Sequence, residues 1–223
     1  MTTDRAGRVE RRLTTPRAAA VAGLLFGLLF ALVIVLLRTS LPELGEGSVV
    51  ELPAGPDRLV VAAWLMPLAG IAFLWFLGVI RDRLGDFEDR FFSSVMFGSG
   101  LVFLAMIFVA MALAAGIRMM TTGAIDPSER AVAVFGRQVM VQVSSVYALR
   151  MAGVFMISLG TIWFRTGLMP RWLAAVTYLV ALALLLVVNL SMWITLLFPA
   201  WVCLVSVVIL VSSSRRAGGP TPG

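Results

Sequence analysis

Six apolar runs, at about residues 18–37, 59–80, 91–115, 139–163, 172–188 and 192–211, cross this chain without a single carboxylate. Each is close to the ~20 residues that a helix needs to cross ~30 Å of hydrocarbon at 1.5 Å per residue. In lipid the backbone must satisfy its own hydrogen bonds, which leaves helices or closed barrels, and runs that are apolar throughout rather than alternating select helices. The expected fold is therefore all-α: an integral membrane six-helix bundle. With 60% hydrophobic residues, 13% charged residues and a mean hydropathy of +0.99, the 223-residue chain lacks the polar surface of a water-soluble domain.

The charges between the runs set the expected sidedness. All 18 basic residues are arginine. Residues 1–17 carry Arg5, Arg8, Arg11, Arg12 and Arg17, the first inter-helix turn carries Arg81, Arg83 and Arg90, and Arg165, Arg171, Arg215 and Arg216 fall on the same side if all six runs cross. The other side holds Arg38, Arg58, Arg118, Arg130 and Arg137 and the acidic stretch with Glu43, Glu46, Glu51 and Asp57. By the positive-inside rule both termini are expected to be cytoplasmic, as in a multi-pass protein of the plasma membrane. The net charge of +6 is spread through short inter-helix runs rather than gathered on one basic face, so nucleic acid is not the expected partner. No histidine and a single cysteine, Cys203, exclude the usual imidazole bases and ligands and any internal disulfide, and no metal or cofactor is expected. Nucleotide-binding, metalloprotease and serine-hydrolase motifs are absent.

Within the first run Ala19, Gly23, Gly27 and Ala31 recur every four residues, a stripe along which another helix can approach closely and through which the protein could self-associate. The second run contains Pro67 as an expected kink, and the third has Gly98 among small residues suited to helix packing. Between them Arg81, Asp82, Arg83, Asp86, Glu88, Asp89 and Arg90 form a turn of mixed charge, expected to lie at the cytoplasmic headgroup layer as a self-neutralised turn, with docking or gating as the sharper alternative. Residues 64–106, WLMPLAGIAFLWFLGVIRDRLGDFEDRFFSSVMFGSGLVFLAM, resemble a hairpin of uncharacterised multi-pass membrane proteins of high-GC Gram-positive bacteria. That resemblance implies a small helical membrane protein and assigns no chemistry.

From Arg130 the helical pattern continues for some 35 residues, so either one long helix projects beyond the membrane or an interfacial part bends near Ser144 and Ser145 into the span. This stretch holds the most function-like residues. At 100° per residue Gln138 and Gln142 lie near Arg137 on a polar side, while Arg150 projects elsewhere. Arg150 stands fifteen residues before Arg165, about 22 Å along the axis and ~8 Å inside the far boundary of a ~30 Å core, within reach of snorkelling. Arg137, Gln138, Gln142, Tyr147 and Arg150 are the candidate contacts for an anion or a lipid headgroup, because a guanidinium grips phosphate or carboxylate through two parallel hydrogen bonds.

The fifth run is expected to be lipid-facing or structural, Asn189 and Ser191 belong to a tight turn, Pro199 is expected to bend the sixth run with Ser206 satisfying a carbonyl, and residues 212–223 read as a disordered cytoplasmic tail. The functional expectation is a non-enzymatic subunit that binds membrane lipid, a membrane-protein partner or a second copy. A small transporter or channel for an anionic solute is the alternative, and an enzyme acting on lipid headgroups is the weakest, since no acid, base and nucleophile come together in the sequence.

Overall fold

Apolar residues supply no competing side-chain hydrogen bonds, so the six runs fold as helices closed on their own backbones. The structure, a computed structural model, describes residues 3–40, 58–84, 90–120, 126–186 and 192–217. In chain order these are α1 (Thr3–Ser40), α2 (Arg58–Leu84), α3 (Arg90–Met120), α4 (Pro127–Val141), a π-helical segment (Gln142–Ala148), α5 (Leu149–Thr166), α6 (Arg171–Leu186), a 3-10 turn (Met192–Leu196) and α7 (Leu197–Ala217). No strand occurs among the described residues.

Five stretches are long and apolar enough to cross a membrane: Ala18–Leu37, Arg58–Asp82, Arg90–Met120, Ser128–Thr166 and Ile194–Ser212. The remaining apolar helix, α6, has 16 residues among those described, about 24 Å. At the other extreme, Arg90 and Arg118 stand ~42 Å apart along α3. Of the six expected spans, five are thus long enough to cross a membrane, and the fifth run is described only as far as Leu186. Three boundaries also move. The arginine-rich residues from Thr3 onward belong to the same helix as the first span, α4 through α5 form one continuous helical run that includes the residues before 139, as one of the two expected arrangements has it, and α7 continues to Ala217, well into the segment expected to be a disordered tail.

The ends are built from local chemistry. Asp126 starts α4 with Pro127 behind it, and the Asp126 backbone N–H donates to Glu129 Oε2 at 3.2 Å, so the first turn holds its own exposed donor. Gly167 ends α5 at φ 64°, donating its N–H to Trp163 O at 3.0 Å, a left-handed conformation that glycine takes without a Cβ clash. Pro199 sits in the first turn of α7, after the 3-10 turn, where a missing backbone donor is tolerated; it begins that helix instead of bending its middle.

Five helical stretches meet in an aromatic centre. Phe73 of α2 touches Phe26 of α1 (4.6 Å between centroids), Phe103 of α3 (5.6 Å), Phe155 of α5 (5.9 Å) and Phe198 of α7 (6.0 Å), and all five rings are fully buried. Most of these pairs are edge-to-face, the arrangement that the ring quadrupole favours. Because lipid is as apolar as the helix surfaces, close packing rather than burial from water holds such a centre together. Phe73→Ala is expected to cost about 2 kcal/mol through the cavity alone, at ~24 cal/mol per Å³ over roughly 100 Å³. Unfolding in mixed micelles, followed by tryptophan emission, measures that loss.

The sixth helix joins differently. α6 packs chiefly on α5, where Gly160 admits Thr177 and Gly153 admits Leu185, and polar pairs clamp it. The Tyr178 and Thr161 hydroxyls are 2.8 Å apart, and Trp201 Nε1 of α7 donates to the buried Thr177 Oγ1 at 2.9 Å, while Thr177 itself donates to Leu173 O. Such pairs fix azimuth and depth where apolar surfaces alone would slide.

Candidate functional site

The π-helical segment Gln142–Ala148 decides how the candidate polar residues are arranged. A π turn takes about one residue more than an α turn, so everything beyond it is set back by roughly 100°. In an unbroken α-helix Arg150 would lie ~120° round from Gln138; the extra residue returns it to within ~20°, and Gln142 is only ~40° away. The burial pattern agrees. Gln138, Gln142 and Arg150 are exposed, whereas Met140, Ala148, Leu149 and Ala152 are buried against the bundle. The expectation that Arg150 projects away from the glutamines is overturned, because it assumed a constant period through the irregular segment.

The register on either side explains why an extra residue is accommodated. Above the π segment, Gly136 approaches Ile117 and Met140 packs with Ala110 and Ala114 of α3. Below it, Phe155 enters the aromatic centre and Gly153 approaches Leu185 of α6. Ser144 lies between the two registers and donates to Met140 O at 2.8 Å, with Val141 O at 3.4 Å, which satisfies carbonyl capacity where the regular ladder is interrupted.

Tyr147 is exposed beside this stripe, and Arg137 is half-buried and engaged, as is Arg118 on α3. Among the described residues nothing hydrogen-bonds or ion-pairs with the side chains of Gln138, Gln142 or Arg150. The five candidates therefore do not converge on one point: three form an exposed stripe, Tyr147 flanks it, and Arg137 is half-buried. Leu185 of α6 lies against Gly153, about one turn along α5 from Arg150.

At the opposite end, Arg81, Asp82 and Arg90 of the charged turn are exposed. The Arg81 guanidinium lies over the Phe97 ring at 4.4 Å and Arg165 lies over Phe92 at 5.1 Å. These cation–π contacts hold the arginine heads against the first turns of α3 at the end of the apolar region. Nothing in the sequence flagged those rings, because the contacts join residues on different helices. Arg83 lies in the last turns of α2, and Asp86, Glu88, Asp89, Asn189 and Ser191 lie outside the described residues. Among the described residues no three His, Cys, Asp or Glu side chains gather in a metal-binding group.

The packing glycines fall into two sets. A Cβ on Gly23 would meet Ser206 Oγ and Phe76, and one on Gly27 would meet Cys203 Sγ, with Pro199 O at 3.0 Å; Ala19 is fully buried and Ala31 half-buried. The small-residue stripe of α1 is thus occupied by α7 and α2 of the same chain and is not open to a second copy. Gly98 has nothing within 4 Å of its Cβ direction, so the close approach of α3 to α2 falls instead at Gly100, whose Cβ would lie 2.7 Å from Leu77. Ser206, expected to satisfy a carbonyl, is fully buried with its hydroxyl unpartnered against the α1 glycine.

The chain matches no protein-family model, no curated protein and no solved structure.

Proposed function

We propose that this is a non-enzymatic, multi-pass protein of the bacterial plasma membrane, with both termini cytoplasmic, that binds anionic membrane lipid through the Gln138–Gln142–Arg150 face. The alignment of those three exposed side chains across the π segment carries the reading. A lone guanidinium ~8 Å inside the hydrocarbon needs an anion or water, and a lipid phosphate drawn slightly inward meets the snorkelling side chain part-way. Two neutral amides above it continue the polar track into the headgroup layer. The resemblance of residues 64–106 to a hairpin of bacterial multi-pass proteins agrees with this setting.

Arg150→Leu tests it. Protein purified in mild detergent from membranes containing both anionic and zwitterionic lipids is expected to retain anionic lipid, and the variant to retain about tenfold less, since a charge-assisted hydrogen bond contributes ~1.5–3 kcal/mol. Native mass spectrometry counts the bound lipids, and an unaltered unfolding curve shows that the bundle persists. Equal retention by the two proteins rules the assignment out.

A further inference from the structure

Three helices end their apolar stretches at one height. A Cβ on Gly23 of α1 would meet both Phe76 of α2 and Ser206 of α7, so these residues are level. Five or six residues from there, toward the same end of the bundle, the apolar stretches stop at Ala18, Asp82 and Ser212. Past that level α2 continues only to Leu84 and α7 only to Ala217, about 3 and 8 Å, whereas α1 runs on to Thr3, about 22 Å. A headgroup layer is about 5–8 Å thick, so Arg8 and Arg5, ~15 and ~20 Å out, stand beyond lipid phosphates even with their side chains leaning back by ~6 Å.

This arm, TDRAGRVERRLTTPR, has two unlike sides. At ~100° per residue Arg5, Arg8, Val9, Arg12 and Leu13 fall within one sector of ~140°, and Thr3, Gly7, Glu10 and Thr14 fall opposite. The sector continues the line of Gly23 and Gly27, the face of α1 that α7 covers lower down. Because α7 ends about level with Arg12, the groove that it fills runs on past its last residue. Within the arm Arg8 has Arg5, Arg11 and Arg12 three or four residues away and only Asp4 against them, while Glu10 has no basic residue at either spacing. Ion pairs of its own therefore do not hold this largely polar helix, which leaves contact with another molecule. The C-terminal segment of the same chain cannot supply the charge: α7 finishes on Arg215 and Arg216, and residues 218–223 carry no acidic side chain.

We propose that the Arg5–Arg8–Arg12 face of α1, cytoplasmic on the topology proposed above, seats an acidic amphipathic helix of a cytosolic protein in line with α7. Guanidinia at rises of ~4.5 and ~6 Å meet carboxylates spaced i, i+3 and i+7 on such a helix, and Val9 and Leu13 meet its aliphatic side chains. Those two residues favour protein over nucleic acid, whose phosphates offer them nothing, and the arm has no aromatic ring on which a base could stack.

The probe is a labelled synthetic helix with glutamates at i, i+3 and i+7 and leucines at i+4 and i+8, titrated onto the full chain in phosphatidylcholine nanodiscs and read by fluorescence anisotropy. Micromolar binding is expected, weakening about fivefold between roughly 50 and 250 mM salt. Arg5→Gln combined with Arg8→Gln and Arg12→Gln should weaken it more than about tenfold with an unaltered unfolding curve, because the arm lies outside the bundle. Val9→Ser with Leu13→Ser should weaken it severalfold and leave the salt dependence as it was. Binding that survives the triple substitution, or no binding at all, overturns the proposal. Two further results also overturn it. If a fluorophore at Thr3→Cys, in a Cys203→Ala background, is quenched by phosphatidylglycerol carrying a headgroup spin label, the arm lies on the membrane. If a short DNA duplex binds more tightly than the peptide, the face belongs to nucleic acid. Neither outcome bears on lipid retention by Arg150, which is at the other end of the bundle.

Discussion

Gly27→Val is expected to abolish the folded bundle. A Cβ at this position meets Cys203 Sγ, and the carbonyl of Pro199 lies 3.0 Å away. A thiol can rotate, but a backbone carbonyl in the first turn of a helix cannot retreat without carrying that helix with it. Overpacking of an interior costs ~1–3 kcal/mol where side chains can yield, and more where the obstacle is backbone. Here the displaced element is α7, which brings Phe198 and Trp201 to the aromatic centre, so the loss should exceed ~3 kcal/mol. The variant should appear as aggregate on size exclusion in detergent and lose its cooperative unfolding transition. Gly98→Val is the matched control: nothing lies within 4 Å of that site, and the variant should elute and unfold like the original protein. If Gly27→Val folds normally, the close approach of α1 and α7 is wrong.

Two single-residue deletions in the same helical run are expected to have opposite outcomes. Removing Ser145 from the π segment takes out the residue by which that segment exceeds an α-helix, so α4 keeps its register on α3 and α5 keeps its own on α6 and the centre. Folding should survive with a change of about 1 kcal/mol. Removing Ile157 instead turns one side of α5 by ~100° relative to the other. Either Phe155 and Gly153 or Gly160 and Trp163 must then leave their sites, all of which are buried. That protein should not form a stable bundle. Thermal unfolding of the two deletion variants, run side by side, checks the pair; a Ser145 deletion as damaging as the Ile157 deletion contradicts the one-residue excess.

The helical membrane class was legible from sequence because it follows from uninterrupted apolar length, which needs no knowledge of neighbours. The helix ends at Asp126 with Glu129 and at Gly167 are set by local chemistry, the kind of signal that a sequence carries. The candidate stripe was only half legible. The residue types of Gln138, Gln142 and Arg150 stood out at membrane depth, but their common face depends on an irregular turn that no propensity or motif in QVSSVYA announces. Its cause is the need to match two separate registers, α4 on α3 and α5 on α6, and that is a property of three helices at once. The glycines show the same limit. A small residue every four positions says that α1 can be approached closely, but not that α7 of the same chain does so, and Gly98 looks no different in sequence from Gly100.

The lengths of the helices bear on the surrounding bilayer. Along α3 the arginine-to-arginine height is ~42 Å, and the helical run Ser128–Thr166 has 39 residues, about 58 Å. Against a ~30 Å core both must tilt, project into the headgroup layers or thicken the adjacent bilayer, at fractions of a kcal/mol per Å of mismatch. Lipids with longer acyl chains should therefore collect beside α3, so that membrane thickness governs which neighbours this protein keeps.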